Sequence, residues 1–219
     1  MNLSKYNSII FDCDGVILNS NKVKTRAFKV ATKSYGDQYS NELVSYHLLN
    51  GGISRYEKFN YFLDSIVKIK SKPKKKLLRN ELLSLYKNET EKGLLSAEVT
   101  YGLDILRDQT HDITWSIVSG GDQKELNYIF KEKGINLLFD GGIYGSPDTK
   151  DQIIKREIKN GRIRFPCLLL GDSKLDHEVA SLNSIDFIFI SEWSDFKLYR
   201  NYCKDNSIRI ISKVFDLID

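Results

Sequence analysis

The stretch FDCDGVILNS, residues 11–20, follows an apolar pair and decides the fold class. Its two carboxylates, Asp12 and Asp14, are two residues apart, so on an extended backbone both side chains point to the same side. Residues 6–11 are predicted to form a central strand, and open α/β sheets carry their chemistry just beyond the carboxyl ends of such strands. Gly15 then lets backbone N–H groups turn toward an anion. Two carboxylates in this position require a cation.

An Asp-x-Asp-Gly motif taken alone is more often a solvated turn than a site, and the later chain decides between the two. Three further segments favour a site: an apolar run that ends in Ser119 and Gly120, then Lys150, and then residues 168–172, with Asp176 four positions beyond Asp172. In this order the segments resemble the four signature motifs of the haloacid dehalogenase-like hydrolase superfamily. Those motifs are D-x-D-G-[TV], a Ser or Thr at a strand end, a Lys, and G-D-x-x-x-D. The resemblance spans nearly the whole chain.

From Val99 onward the sequence alternates between helical and strand patterns. Strands are predicted at residues 114–119, near Phe139, at 167–170 and at 185–190. Such alternation predicts an α/β fold with a doubly wound parallel sheet. Residues 20–92 have a helical pattern instead, which matches the inserted helical domain of one branch of the superfamily. The resemblance therefore implies a Rossmann-like core of residues 1–18 and 95–219, with an α-helical cap domain at residues 19–94.

The motif residues suit phosphoryl transfer, which requires an in-line nucleophile, neutralisation of the phosphoryl oxygens and a proton source for the leaving group. Asp12 fits the first role, because a carboxylate forms an acyl-phosphate and splits one displacement into two easier steps. By resemblance, Asp14 protonates the leaving oxygen and later takes a proton from the attacking water. Ser119 is expected to donate to a phosphoryl oxygen, and Lys150 to offset the charge of Asp12 and the phosphate.

The same carboxylates predict a Mg²⁺ site. This ion prefers oxygen ligands in an octahedron and keeps several waters, so Asp12, Asp172 and the backbone carbonyl of Asp14 suffice. Asp176 is expected to be a further ligand or a group that holds the ligands in place. The cysteines form no CxxC or Cys/His zinc pattern. Cys13 lies between the two carboxylates but on the opposite face of the strand, and it is predicted to fill the core.

Substrate selection is expected to reside in the helical segment. Residues 51–55, with the sequence GGISR, resemble the Gly-x-Ser-Arg loop of β-phosphoglucomutase-like enzymes, whose Arg contacts the end of the substrate remote from the reacting phosphate. Arg55 is therefore predicted to bind substrate, together with Gly15 and Gly120 near the phosphate. The alternative is that Ser54 caps a helix and Arg55 is solvated in its first turn.

The predicted function is a Mg²⁺-dependent phosphatase that hydrolyses a small phosphorylated metabolite, a sugar phosphate or a phosphoglycolate-like acid, through an aspartyl-phosphate. Asp14 argues against dehalogenation, because a halide leaving group needs no proton. A sugar phosphomutase is the nearest alternative. By resemblance, such a mutase has a His shortly after the first motif, and residues 21–25 contain none. A catalytically inactive regulatory module is another alternative, as is a phosphonatase that uses Lys24 or Lys58 in a Schiff base.

Composition agrees with a soluble enzyme: 41% of the 219 residues are hydrophobic, 28% are charged, and the net charge is +4. The densest basic stretch, residues 68–76, is interpreted as a solvated turn between helices, so neither a nucleic acid nor a membrane is expected as a partner. No apolar stretch reaches the length of a membrane span. An odd cysteine count without a signal-like start predicts the cytoplasm. The three histidines, His47, His111 and His177, are interpreted as surface or packing residues.

Overall fold

A parallel sheet forms the centre of the computed structural model, which describes residues 2–218. Within those residues the strands are β1 Ser8–Phe11, β2 Thr114–Asp122, β3 Gly142–Ser146, β4 Cys167–Gly171, β5 Asp186–Ile190 and β6 Arg209–Ile211. Their order across the sheet is β3-β2-β1-β4-β5-β6, and each neighbouring pair runs parallel. This is the doubly wound Rossmann order, which confirms the predicted fold class.

Helices cover both faces of the sheet, so the sequences of its central strands are almost entirely apolar. In chain order the helices are α1 Asn21–Ala31, α2 Asp37–Leu49, α3 Arg55–Tyr61, α4 Lys72–Ser96, α5 Leu103–Gln109, α6 Gln123–Glu132, α7 Lys150–Lys159, α8 Lys174–Leu182 and α9 Tyr199–Asp205. All residues of β1 and β4 are buried. The apolar side chains around β1 form two buried clusters, which hold the helices on the sheet.

The winding direction of the chain reverses between β1 and β4, which are hydrogen-bonded neighbours. In sheets of this kind, a crevice opens at that switch point, beyond the carboxyl ends of the strands. Asp12 follows β1 directly, and Asp172 follows β4. The amide of Asp12 continues the ladder by donating to the carbonyl of Leu170 at 2.9 Å. The fold therefore brings two of the predicted site residues to one edge.

Helices α1 to α4 lie between β1 and β2 in the chain, and we call residues 21–96 the helical insertion. The insertion has an apolar core of its own, in which the rings of Phe28, Phe59 and Tyr86 contact one another. The two chain crossings that lead to it pair together, through an antiparallel bridge between Leu18 and Val99. The separate core supports the predicted division at residues 18/19 and 94/95, which stays a prediction.

The structure differs from the sequence interpretation at a few elements. The strand predicted near Phe139 was wrong by three residues: Phe139 packs its ring against Phe11 and Trp115, and β3 begins only at Gly142. Helix α9 and strand β6 were missed, because both are short. In the basic stretch, residues 68–71 precede a helix whose N-cap is Ser71, and the remainder forms the first turns of α4. Helix α4 has 25 residues, but no helix of residues 2–218 is both long and apolar enough to cross a membrane.

Candidate functional site

Three predicted carboxylates meet where β1 and β4 end. One oxygen from each of Asp12, Asp172 and Asp176 lies within 4.8 Å of the others, and all three residues are buried. Two of them follow adjacent strands, and Asp176 extends from the first turn of α8. Oxygen ligands in this arrangement are typical of sites for hard divalent cations.

Lys150 is the cation beside these carboxylates. It begins α7, whose start is fixed by a capping box between Thr149 and Gln152. Its Nζ lies 2.8 Å from Oδ1 of Asp12 and 2.5 Å from Oδ1 of Asp176. Burial alone would lower the pKa of Lys150, but the two carboxylates outweigh burial and raise it. Lys150 therefore keeps its charge and holds Asp12 in place. Its predicted role of offsetting charge on the phosphate stays a prediction.

Asp176 is held by protein groups on both of its oxygens. Oδ1 accepts from Lys150, and Oδ2 accepts from the backbone N–H of Ser173 at 3.1 Å and from its hydroxyl at 2.5 Å. These contacts favour the second of the two roles that we expected for Asp176, in which it positions Lys150 and the loop after β4. That role stays a prediction.

Asp172 is set against Gly15, at the start of the loop that follows the Asp pair. Gly15 has φ +80°, and a Cβ there would lie 2.1 Å from Oδ2 of Asp172, so only glycine fits this position. Asn21, which sequence reasoning did not single out for a role, donates to the same oxygen at 2.9 Å and to the carbonyl of Trp193 at 2.9 Å. A single Asn at a helix start carries no sequence signal for this contact.

The carboxylate cluster has an excess of negative charge. Burial raises the pKa of Asp12, and Asp176 and Asp14 raise it further against the opposing effect of Lys150. Burial also raises the pKa of Asp172, with Asp12 and Asp176 adding to it. A bound divalent cation would remove this mutual repulsion. The donor set therefore fits a divalent metal.

Asp14 has two partners that keep it ionised. Its Oδ1 accepts from the hydroxyl of Ser20 at 2.6 Å, and its Oδ2 forms an ion pair with Nζ of Lys24. Burial favours the protonated acid, but the charge of Lys24 and the hydrogen bonds outweigh burial and lower the pKa of Asp14. Sequence reasoning considered Lys24 only as a Schiff-base residue. Its place on the inner face of α1, ten residues after Asp14, was the available signal.

A cavity of about 240 Å³ lies between the sheet edge and the helical insertion. The sheet side contributes Asp12, Asp14 and Asp172, together with Gly120 and Gly121 at the end of β2. The insertion contributes polar and aromatic side chains, namely Lys24, Phe28, His47, Arg55, Lys58 and Tyr86. A concave site with convergent polar groups is the expected form of a small-molecule site.

Ser119 and Gly120 differ in their relation to this cavity. Gly120 lines it, and a Cβ there would lie 2.1 Å from the carbonyl oxygen of Gly52, so the loop after α2 rests directly on β2. Ser119 is fully buried and does not line the cavity. Its Oγ accepts from the N–H of Gly121 at 3.0 Å. The predicted contact between Ser119 and a phosphoryl oxygen stays a prediction.

Arg55 lines the cavity but has a partner within the protein. It is 6% exposed, so the alternative of a solvated Arg55 was wrong, whereas the predicted cap is present: Ser54 Oγ accepts from the N–H of Glu57. Both NH groups of the guanidinium donate to the carboxylate of Glu125 on α6. The guanidinium carbon also lies 4.6 Å from the centre of the Tyr86 ring. Substrate binding by Arg55 stays a prediction.

His47 was interpreted as a surface or packing residue. Its ring packs at 4.7 Å from the ring of Phe28, but it also lines the cavity. Its Nδ1 lies 2.7 Å from Nζ of Lys58 and its Nε2 lies 3.1 Å from Oγ1 of Thr25. His177, in contrast, lies away from the cavity and contacts the hydroxyl of Tyr202.

Comparison with known proteins gives the same fold. The chain is similar to a predicted phosphatase from Clostridium acetobutylicum, with 16% identity, a TM-score of 0.73 and coverage of 97% of this chain and 96% of that one. It is also similar to β-phosphoglucomutase from Clostridium difficile, with 19% identity, a TM-score of 0.71 and coverage of 96% and 92%. It is similar as well to a predicted phosphoglycolate phosphatase from Haemophilus somnus, with 17% identity, a TM-score of 0.65 and coverage of 86% of this chain and 87% of that one.

No curated protein matches the chain. The family model of haloacid dehalogenase-like hydrolases matches residues 9–190, a span that begins within β1 and ends with β5. That span contains the carboxylate cluster, Lys150 and the helical insertion. Since one family model accounts for most of the chain and for the edge of the sheet where these side chains meet, the chain belongs to the haloacid dehalogenase-like hydrolase family.

Proposed function

We propose that this protein is a phosphatase that hydrolyses a small phosphorylated metabolite through an aspartyl-phosphate on Asp12. The observation that carries the proposal is the pair of carboxylates at one cavity: Asp12 is held by Lys150, and Asp14 lines the same cavity with its own cation, Lys24. Two carboxylates with separate partners suit two separate roles. The names of similar structures, which include phosphatases and a phosphomutase, support phosphoryl transfer.

Asp12 is oriented as a nucleophile. Its Oδ1 accepts from the N–H of Cys13 at 2.7 Å and from Lys150 at 2.8 Å. Because these contacts fall on Oδ1, Oδ2 is the oxygen that attacks phosphorus in our proposal. A bond forms between Oδ2 and phosphorus as the bond to the leaving oxygen breaks, and water then cleaves the aspartyl-phosphate to release inorganic phosphate.

The carboxylates of Asp12 and Asp172 and the backbone carbonyl of Asp14 would hold Mg²⁺. When bound, Mg²⁺ supplies positive charge that offsets the phosphoryl oxygens and the carboxylate cluster. Asn21 fixes the orientation of Asp172, and Lys150 fixes that of Asp12. These contacts within the protein preserve the geometry of the ligands.

Asp14 moves the protons in this proposal. The ionised form that Lys24 stabilises accepts a proton from the water that attacks the aspartyl-phosphate. The negative charge of a bound phosphate ester favours the protonated form, which donates to the leaving oxygen in the first step. Asp14 therefore acts once as an acid and once as a base in each turnover.

Hydrolysis is favoured over mutase activity by the residues that face the site from α1. In the segment after the first motif, Asn21 donates a hydrogen bond to Asp172 and Lys24 forms an ion pair with Asp14. Residues 21–25 contain no His.

The three cysteines are buried and unpaired, which supports the predicted reducing cytoplasm.

Phosphate release from a panel of phosphorylated sugars and acids, with and without Mg²⁺, tests the proposal. We expect release in the presence of Mg²⁺ and a phosphoenzyme that is trapped by acid quench. Transfer of phosphate within a sugar, dependent on a bisphosphate primer, would indicate the mutase instead. No release from any phosphomonoester would overturn the proposal.

A further inference from the structure

Lys58 of the helical insertion is a buried cation that lines the cavity. It lies on α3, where its neighbour Phe59 is fully buried in the core of the insertion. Ser54 caps this helix, and Lys58 itself is 2% exposed. The side chain is therefore fixed by a packed helix rather than by a loop. Its environment differs from that of the other cations of the cavity.

The other cationic side chains that line the cavity have carboxylate partners. Lys24 pairs with Asp14, Arg55 with Glu125 and Lys174 with Glu178. Lys58 has no carboxylate oxygen within 4 Å of its Nζ anywhere in the described part of the chain. A buried charge without a counter-charge is costly. The cavity thus contains a cation whose charge the protein does not neutralise.

The group that Lys58 does contact is His47, at 2.7 Å from Nζ to Nδ1. Burial lowers the pKa of His47 to about 2, and the charge of Lys58 contributes. The imidazole is therefore neutral, its Nδ1 accepts from Lys58, and its Nε2–H donates to Oγ1 of Thr25. An ammonium has three N–H donors, and His47 uses one of them. His47 orients Lys58 without neutralising it.

We propose that Lys58 binds a carboxylate of the substrate, so that the preferred substrate is a compact phosphorylated carboxylic acid with its phosphate at Asp12 and its carboxylate at Lys58. This inference rests on the proposed phosphatase function and narrows its substrate class. A single ammonium matches a single carboxylate charge, whereas a second phosphate favours a bidentate partner such as Arg. The arginine of this cavity, Arg55, is already occupied by Glu125.

The cavity also sets the size of this substrate. Its volume of about 240 Å³ suits a compact molecule.

Burial lowers the pKa of Lys58 to about 7, and the charge of Lys24 adds to this effect. A carboxylate beside Lys58 opposes both effects and favours the charged amine. Substrate binding and the charge of Lys58 are thus coupled.

Matched substrate pairs test the inference. Phosphoglycolate and 2-hydroxyethyl phosphate differ only by a carboxylate in place of a hydroxymethyl group, and 3-phosphoglycerate and glycerol 3-phosphate form a longer pair. In at least one pair we expect wild-type kcat/KM to favour the acid by about 10- to 150-fold, the range for a hydrogen bond to a charged group. Lys58→Met keeps most of the length of the side chain without its charge and should reduce this ratio to near one.

Lys76→Met is the matched control, because Lys76 is an exposed cation of the same insertion outside the cavity. It should keep the wild-type ratio. Lys58→Gln, which keeps a polar side chain, is a second variant in case Lys58→Met does not fold, and it should also lose the preference for the acid. Circular dichroism establishes the folded state of each variant before kinetics.

The outcomes separate this inference from the proposed function. A wild-type enzyme that releases phosphate with equal kcat/KM for both members of each pair would overturn the role of Lys58 and leave the phosphatase standing. An equal loss for acid and alcohol in both Lys58 variants would also overturn it, as would borohydride trapping of a Schiff base between Lys58 and a phosphorylated aldehyde. Absence of phosphate release from every ester, including p-nitrophenyl phosphate, would overturn the proposed function itself.

Discussion

Arg55 and Glu125 form a buried ion pair that joins the helical insertion to the sheet domain. Their side chains are 6% and 9% exposed, and the guanidinium donates to both carboxylate oxygens. Thr90 of α4 donates to Oε1 of Glu125 at 3.0 Å, so a second element of the insertion meets the same carboxylate. The hydroxyl of Tyr56 adds a hydrogen bond to Asp122. These contacts hold the insertion against the sheet domain beside the cavity, which Arg55 lines.

Arg55→Ala should therefore lower the stability of the protein. The change leaves the Glu125 carboxylate buried without its cation, which costs about 3–5 kcal/mol in the free energy of unfolding. Urea unfolding measures this loss. The double variant Arg55→Met/Glu125→Leu removes both charges and should recover most of it. A single Arg55→Ala variant as stable as the wild type would contradict the structural role of the pair.

The same double variant tests the predicted contact between Arg55 and substrate. If the role of Arg55 is to dock the insertion, the stabilised double variant should recover kcat/KM for small and large phosphate esters alike. If Arg55 binds the remote end of the substrate, kcat/KM should stay low by about 10- to 150-fold for the preferred substrate alone. An aryl phosphate that lacks a remote polar group is the control.

Asp12→Asn should abolish phosphate release and the trapped phosphoenzyme, because an amide does not attack phosphorus. Asp14→Asn should slow turnover but still allow a phosphoenzyme to form from esters with good leaving groups, which need no proton from the protein. Asp104→Asn, a change at an exposed position of α5, is the control and should match the wild type. Near-normal turnover by Asp12→Asn would exclude the covalent mechanism.

Mg²⁺ should raise the melting temperature of the wild-type protein, because the ion relieves the repulsion among Asp12, Asp172 and Asp176 and binds the folded state alone. Chelator should reverse the shift and stop phosphate release. Asp172→Asn removes one ligand and should lose most of the shift, which provides a readout independent of activity. An unchanged melting temperature at millimolar Mg²⁺ would contradict the predicted site.

The sequence was sufficient to place Asp12 and Asp172, which directly follow the ends of β1 and β4. Asp12 and Asp172 come after apolar runs. A parallel sheet brings the ends of such runs to one edge, independently of how the helices pack. Lys150 was predicted from its motif, and its Nζ contacts Asp12; its role in catalysis stays a prediction. These positions depend on local pattern and on sheet topology, both of which a single sequence expresses.

Contacts between helices and the sheet edge were not predictable in the same way. Asn21 meets Asp172 across 151 positions of sequence, and Arg55 meets Glu125 across 70. Each pair depends on how one helix is rotated and set against another element, which periodicity does not define. Within residues 2–218, Lys58 likewise has no carboxylate partner because the nearby carboxylates pair with other cations, and the sequence does not show this pairing. Sequence reasoning named Lys58 only as a residue that a Schiff base would use.

The stability of the protein should depend on pH through Lys58. Burial lowers the pKa of Lys58 from 10.5 to about 7, the charge of Lys24 adds to this effect, and Asp14 opposes it. Between pH 7 and 10.5 the unfolded chain therefore binds a proton on Lys58 that the folded protein does not bind. The contribution of Lys58 to the free energy of unfolding should rise across this window, by up to about 1.4 kcal/mol per pH unit. Below pH 7 Lys58 is protonated in both the folded and the unfolded protein, so the folded protein bears the full free-energy cost of burying the charge.

Lys58→Met removes this titration, and urea unfolding at several pH values between 7 and 10 measures the result. The variant should be more stable than the wild type at pH 7, because it buries no charge, and its advantage should shrink as the pH rises and the wild-type amine loses its proton in the folded state. Lys76→Met should follow the wild type at every pH, because Lys76 is exposed in the folded protein. A difference between Lys58→Met and the wild type that stays constant from pH 7 to 10 would mean that Lys58 keeps its proton in the folded protein. In that case another group would have to supply its counter-charge.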